Sequence, residues 1–407
     1  MKGCVLLNNL QYQAMVDTSL TNQSDISDLY IPHFRTPATI SALRTSMIMI
    51  TASLIGLGML MFYSSSVSSN SENMEFFYAK RHITWLTVGI LACLITSFVP
   101  ARFWKALAIP LFILSLGLLI TVLIPGIGSN IRGSQRWIRW GSMGIQPSEF
   151  TKITLILSLA RIVTLDRFHN SSEWAKILWI LVPTVSAAGL VVVQPDFGTS
   201  IFLLGTGFLF AYLSNIRMKN LIVLTLFIIP LLGLLLIKEP YRLKRLTGYI
   251  HTWSDQSLAP YHTKQSLISL GSGGLQGKGI GKGWQKLSYL PEANNDFVFA
   301  VIGEEMGLLG TLTVVILWGA FVFVGWQLAA STAHIPYQYL VVTVLVFCLT
   351  IQAIINLAVV TALIPAKGIP LPFISYGGSS LFASLVSIGI ILGFSRNSYS
   401  ERTLVSP

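Results

Sequence analysis

Apolar residues in this chain come in long unbroken runs, not at the spacing of a one-faced helix or an alternating strand. A helix needs about 18 or more such residues to cross the hydrocarbon of a bilayer. Runs of that kind lie near 46–66, 82–99, 104–124, 176–193, 219–237, 307–330, 338–364 and 377–395. Two weaker segments join them: 148–164, with Lys152 and Arg161 near its ends, and 200–214, which is short. The pattern predicts an all-α polytopic membrane protein of about ten transmembrane helices. It places a polar N-terminal tail at 1–45, a membrane domain at 46–396 and a C-terminal tail at 397–407. The tail has no short apolar core followed by small residues, so a cleaved signal peptide is not expected.

Composition agrees with the runs. A mean hydropathy of +0.68 with only 11% charged residues lies far from a soluble domain, whose charged share is nearer a quarter. The net charge of +11 could suggest nucleic acid, but the basic residues are scattered between apolar runs and form no basic arm, which excludes that partner. A membrane surface or an anionic substrate accounts for them better. Cys4, Cys93 and Cys348 are too few and too dispersed for a disulfide framework.

Ten spans put both termini on one side, and Lys and Arg choose which. The termini's side carries 12 of them and the opposite side 15, but eight of the 15 lie in or beside one long loop, 238–306, and long loops are exempt from the rule. The remaining 12 against 7 favours cytoplasmic termini. Three loops, 125–147, 238–306 and 365–376, are then extracytoplasmic, and the middle one is both the largest and the most basic. A polyanionic ligand would explain that surplus, and so would a solvated loop face.

Chemistry concentrates in those loops. "GSGGLQGKGIGKG" (271–283) invites a phosphate-loop reading, yet Lys278 and Lys282 are each followed by Gly instead of Ser or Thr, and the Gly positions match neither nucleotide fingerprint. A flexible backbone remains, serving as a hinge or bringing Lys278, Lys282 and Lys286 to an anion. "YLPEANNDFVFAVIGEE" (289–305) comes next, with four carboxylates in an apolar setting. Glu292 and Asp296 sit four apart, and Asp296 immediately precedes the run Phe297–Ile302, at the membrane edge. A carboxylate there can act as general base on a hydroxyl of a membrane-held substrate, or simply cap a helix. Glu304 and Glu305 are expected to pair with basic residues of another segment. In "GSQRWIRWGSMGIQPSEFTK" (133–152), Arg136 stands beside Trp137, and Glu149 and Lys152 are spaced for an ion pair on one helix face. Asp196 in "QPDFGTS" reads as a helix cap. Prolines 365, 370 and 372 with glycines 368, 377 and 378 break helix geometry in "IPAKGIPLPFISYGGSS" (364–380), which suggests a cavity open to that side. His82, His251, His262 and His334 are dispersed, so no zinc site is expected.

Taken in order, Arg136-Trp137, Gln146-Pro147-Ser148-Glu149 with Lys152, Gln194-Pro195-Asp196, Gln265-Ser266, Gly273-Gly274, Leu290-Pro291-Glu292, Asp296-Phe297, Gly303-Glu304-Glu305 and Pro372-Phe373-Ile374-Ser375-Tyr376-Gly377-Gly378 resemble the SEDS family (shape, elongation, division and sporulation). These are the FtsW/RodA glycosyltransferases that polymerise lipid II into peptidoglycan strands. The likeness runs from about residue 45 to 396. It implies a multi-pass enzyme of the bacterial inner membrane that releases undecaprenyl diphosphate, with Asp296 as the essential carboxylate and Glu149 and Lys152 as the ion pair of a central cavity. It further implies a class B penicillin-binding protein transpeptidase and divisome membrane proteins as partners. The substrate-binding or cavity residues expected are Glu149, Lys152, Arg136, Trp137, Arg242, Arg245, Lys278, Lys286, Glu292 and Ser375. Some of Arg136, Arg242, Lys244, Arg245, Lys278 and Lys286, or a divalent cation, would meet the leaving diphosphate; no protein metal site is expected. One departure stands out: the family usually has His-Thr where this chain has Asn294-Asn295. Lys367-Gly368 resembles the division branch, FtsW, whereas Tyr261-His262 leans toward the elongation branch, RodA. The rival functions are the same activity in elongation, lipid II flipping, or a non-catalytic scaffold.

Overall fold

A computed structural model describes residues 37–66, 72–131, 134–140, 143–237, 240–254, 259–284 and 295–403. The chain divides into two units, Met1–Thr39 and Ile40–Pro407, and the second carries the helical bundle. The helices are α1 (Pro37–Ser66), α2 (Glu72–Phe98), α3 (Ala101–Leu123), α4 (Pro147–Val163), the single turn α5 (Asp166–His169), α6 (Glu173–Val193), α7 (Phe197–Leu213), α8 (Met218–Ile237), α9 (Pro240–Ser254), α10 (Tyr261–Ser272), α11 (Val298–Ser331), α12 (Pro336–Val360) and α13 (Gly378–Thr403). Each of the ten expected spans coincides with one of these helices. Seven are long and apolar enough to cross a membrane on those grounds alone, and two more, Phe197–Leu213 and Met218–Pro230, are shorter apolar helices.

The tenth is α4, and its physics differs. Only 17 residues long, it carries Glu149, Lys152 and Arg161, which lipid would not tolerate. Most of its residues from Ser148 to Val163 are buried, so neighbouring helices and not lipid surround it. Burial elsewhere orders the bundle: 83% of the apolar stretch of α13 and 61% of that of α12 are enclosed, against 17% for α2, which leaves α2 facing lipid.

Two boundaries differ from expectation. The span expected to start at residue 307 instead begins at Val298, and α11 runs through a break at Gly307, whose φ of 66° only glycine adopts readily. A side chain there would also collide with Gly277 N, 2.4 Å from the Cβ position. The second difference is a three-stranded antiparallel sheet in loop 125–147: β1 (Gly128–Ile131), β2 (Ser134–Trp140) and β3 (Met143–Ile145). Ser134-Gln135-Arg136-Trp137-Ile138-Arg139 lacks clean polar–apolar alternation, so periodicity gave no strand signal.

Candidate active site

Loops from one end of the bundle converge, and the glycine-rich loop shows how. The anion it cradles is the protein's own. Glu304 and Glu305 are almost completely buried, at 0% and 1% exposure. Lys278 Nζ and Trp284 N donate to Glu304 Oε1 at 2.9 and 3.0 Å. Ser64 at the end of α1 donates to both oxygens of Glu305 (2.8 and 2.6 Å), and Gly281 N donates to Oε2 at 3.2 Å. Lys278 N and Gly279 N donate to the backbone carbonyls of Glu304 and Glu305 at 2.9 and 3.0 Å. Positive φ at Gly274, Gly277, Gly279 and Gly281 lets the chain wrap so closely. The expected partner for Glu304 is therefore Lys278. Lys278 thus neutralises a buried carboxylate of its own chain.

Asp296 lies in the turn just before α11, half-buried at the bundle end. Asn356 of α12 fixes this turn, its Nδ2 donating to Asp296 O (2.9 Å) and to Ile369 O (2.8 Å). Gln352, one turn earlier, donates to Pro370 O at 3.1 Å. These two amides clamp the broken segment 365–376 beside the Asp. They were missed in the sequence, where two amides four apart in an apolar span were the available signal. The Ser375 hydroxyl donates to Asn295 O (2.5 Å) and accepts from Leu371 N (2.8 Å). Ser375, expected to line a substrate cavity, is buried and ties two loops together. Gly368 is flush against the carboxylate: a Cβ there would sit 2.8 Å from Asp296 Oδ2.

Next to Gly368, Lys367 runs across Gly198 in the first turn of α7, where any Cβ would come within 2.1 Å of its Cε. Burial lowers the Lys367 pKa, while nearby Asp196 opposes the shift. Asp196 caps α7 as expected, accepting from Thr199 N at 3.1 Å, and it also pairs with Arg136 Nη1 at 3.2 Å. Strand geometry sets up that pair: Ser134 and Arg136 share a face of β2, and Arg136 Nε donates to Ser134 Oγ at 2.6 Å. Trp137, one residue on, packs over Gly144 of β3. Arg136 and Asp196 are thus ion-paired, Asp196 acts electrostatically on Lys367, and Lys367 adjoins the Gly368 that abuts Asp296.

Deeper in the bundle the Glu149–Lys152 pair forms at 2.8 Å, and Lys152 also donates to Gln352 Oε1 at 3.1 Å. Both line a cavity of about 30 Å³ with Phe202 and Cys348, room for a water or two. Through Gln352 and Pro370 this pair is linked to the loop that abuts Asp296.

On the other flank, α9 lies across residues 362–366. Arg245 Nη1, Tyr249 OH and Trp253 Nε1 donate to the carbonyls of Ala366 (3.3 Å), Leu363 (2.8 Å) and Ala362 (3.2 Å). His262 of α10 packs its ring on Phe297, centroids 5.9 Å apart, and burial together with Arg245 holds its pKa below the usual histidine value. Lys286, Glu292 and the Arg242 side chain lie outside the described residues. Among the described residues, no three of His, Cys, Asp and Glu gather at metal-ligand spacing.

Comparison with known proteins shows the family. The family model for FtsW, RodA and SpoVE, described as "Cell cycle protein", matches residues 44–400. "Probable peptidoglycan glycosyltransferase FtsW" of Coxiella burnetii is 38% identical over 348 residues, covering 84% of this chain and 93% of that protein. "Stage V sporulation protein E" of Bacillus subtilis is 35% identical, covering 86% and 96%. Among solved structures, a chain from "Structural coordination of polymerization and crosslinking by a peptidoglycan synthase complex" superposes with a TM-score of 0.70 at 26% identity, over 87% of this chain and 97% of that one. Thermus thermophilus rod shape determining protein RodA gives 0.60 at 28% identity, over 87% and 96%. With the whole membrane domain matched, this chain belongs to the FtsW/RodA/SpoVE family of polytopic membrane proteins.

Proposed function

We propose that this chain is a peptidoglycan glycosyltransferase that polymerises lipid II during cell division, with Asp296 as the general base. Relatives named as FtsW glycosyltransferases over most of their length support the activity and the division branch. One observation carries the mechanism: Asp296 is clamped by Asn356 beside a flush glycine, and cationic α9 reaches the same loop two residues away through Arg245 and Ala366.

In the reaction, the 4-hydroxyl oxygen of an acceptor N-acetylglucosamine bonds to the anomeric carbon of the donor sugar. The carbon–oxygen bond to the diphosphate breaks, and its electron pair leaves with undecaprenyl diphosphate. The hydroxyl proton passes to the Asp296 carboxylate, an arrangement typically worth about 10² to 10⁴ in rate. Cations near the phosphates stabilise the departing charge. Arg136, already paired with Asp196, would orient the cap of α7, and Glu149 with Lys152 would hold the inner wall through Gln352.

The proposed orientation has both termini cytoplasmic in the bacterial inner membrane and Asp296 at the outer face. The proposed partner is a class B penicillin-binding protein transpeptidase. The structural relative concerned with coordinating polymerisation and crosslinking supports such a pairing. The test is incubation of the purified chain with lipid II, alone and with the transpeptidase, followed by a gel for glycan strands, alongside a liposome assay for lipid II flipping. Strands without flipping are expected; flipping without strands would replace the glycosyltransferase with a transporter.

A further inference from the structure

Segment 365–376 meets the Asp296 turn at Gly368 and at Ser375. Asn356 and Gln352 hold its first half, at Ile369 and Pro370. Its second half contains Phe373, whose φ of 68° is a conformation that a residue with a side chain keeps only where its surroundings fix it. Three helices supply that fixing. Trp318 and Phe321 of α11 pack on the Phe373 ring, with centroids 6.0 and 6.1 Å away. The backbone of α1 lies flush against the next residue, since a Cβ at Gly58 would come 2.7 Å from Ile374 O. The third helix is α2, and it reaches the segment through His82.

His82, Trp85 and Gly89 follow one another at three and four residues, so they share the face that α2 turns to the bundle. Gly89 packs under Leu385 of α13, and Trp85 lies over Gly378, the first residue of that helix. Ile83, Ile90, Leu91 and Leu94 are exposed. His82 is only 5% exposed, and its ring completes a triangle with Phe62 of α1 and Tyr376. Ring centroids are 5.0 Å apart for His82 and Phe62, 5.3 Å for His82 and Tyr376, and 5.5 Å for Phe62 and Tyr376. Tyr376 follows Ser375, whose hydroxyl donates to Asn295 O, and Asn295 precedes Asp296. The buried Nδ1 of His82 has no hydrogen-bond partner among the described residues. A nitrogen without a partner relays no proton, so what His82 offers Tyr376 is the face of its ring.

From this geometry we infer that His82 is a positioning residue for Asp296: its ring sets Tyr376, and through Tyr376 the tie from Ser375 to Asn295, so that the carboxylate stands where an acceptor hydroxyl can reach it. The inference rests on the proposed glycosyltransferase activity and adds to it a residue from a helix outside the loops that form the site. The effect is indirect, carried first by ring packing and then by one hydrogen bond. Phe at position 82 would present the same face without an unpaired nitrogen, and Ala would present none.

The test compares His82→Ala and His82→Phe in the full chain in nanodiscs, by hydrogen exchange read by mass spectrometry and by turnover of lipid II. The amides of Leu371, Ile374 and Ser375 are bonded within the segment. In His82→Ala they should exchange at least about tenfold faster, while the middle of α12 exchanges as in the unaltered protein, which reports an intact bundle. Turnover should fall about 10- to 100-fold with KM within about threefold, the signature of a displaced base and not of lost binding. His82→Phe should restore both readouts to within about threefold. Adding His82→Ala to Tyr376→Leu should cost little beyond Tyr376→Leu alone, since both remove the same contact. Equal impairment in His82→Phe and His82→Ala would overturn the role of the ring face. Unchanged exchange in His82→Ala, or faster exchange throughout α12 as well, would overturn the hold on the segment. The exchange readout needs no turnover, so it decides the role of His82 even if the unaltered chain makes no strands. Normal polymerisation by Asp296→Asn together with faster exchange in His82→Ala would remove Asp296 as base and leave the hold on the segment standing.

Discussion

Asp296→Asn is expected to lower the turnover of lipid II roughly 10²- to 10⁴-fold while leaving lipid II binding close to that of the unaltered protein. The split comes from what the side chain does. Asn keeps the volume and leaves the Asp296 carbonyl in the hold of Asn356. It cannot take a proton, so only the transition state loses. Gly368→Ala probes the same geometry from the other side: its Cβ would fall 2.8 Å from Oδ2, and the carboxylate must turn away. Misplacement on that scale costs about 10² in rate with little cost in fold. Kinetics of strand formation at varied lipid II concentration check both variants. A rise in KM with turnover unchanged would make Asp296 a binding residue instead.

The largest structural effect is expected from Lys278→Met. Removing one member of a buried pair costs about 3–5 kcal/mol, because the other charge stays behind without compensation. Glu304 is fully enclosed while the Lys278 side chain is 35% exposed, which points to the lower end of that range. Among the described residues the glycine loop's hydrogen bonds run to Glu304, Glu305, Ser64 and the break at Gly307. Its release should lower the thermal midpoint by roughly 5 °C and open Lys282 to trypsin. Unchanged melting together with an unchanged tryptic pattern would show that the pair holds nothing in place.

How much of this was legible beforehand depended on the range of the interaction. The spans were legible because lipid imposes a local rule that every residue of a run must obey. The Glu149–Lys152 pair and the Asp196 cap were legible for the same reason, each being settled within three residues. Long-range pairings were not. A template test on the glycine loop correctly rejected nucleotide phosphates, but nothing in residues 271–283 says that the anion to be wrapped lies about 25 residues downstream. Arg136 finding Asp196, α9 reaching residues 362–366, and Ser375 closing onto Asn295 likewise depend on how the loops stack once the helices are in place. Asp296 itself was picked out by its position at a membrane edge and by family resemblance. Spacing alone left a capping role open, and the structure puts Phe297, not Asp296, at the cap position of α11.

The central claim is that a carboxylate held at the outer face of the membrane accepts the sugar proton. Its most direct test is accessibility of position 296, using Asp296→Cys in a chain whose Cys4, Cys93 and Cys348 are replaced by Ser. A membrane-impermeant maleimide added to intact spheroplasts should label that cysteine, and lipid II added beforehand should slow the labelling. Labelling only after the membrane has been inverted would place the side chain on the wrong side for lipid II polymerisation and contradict the account.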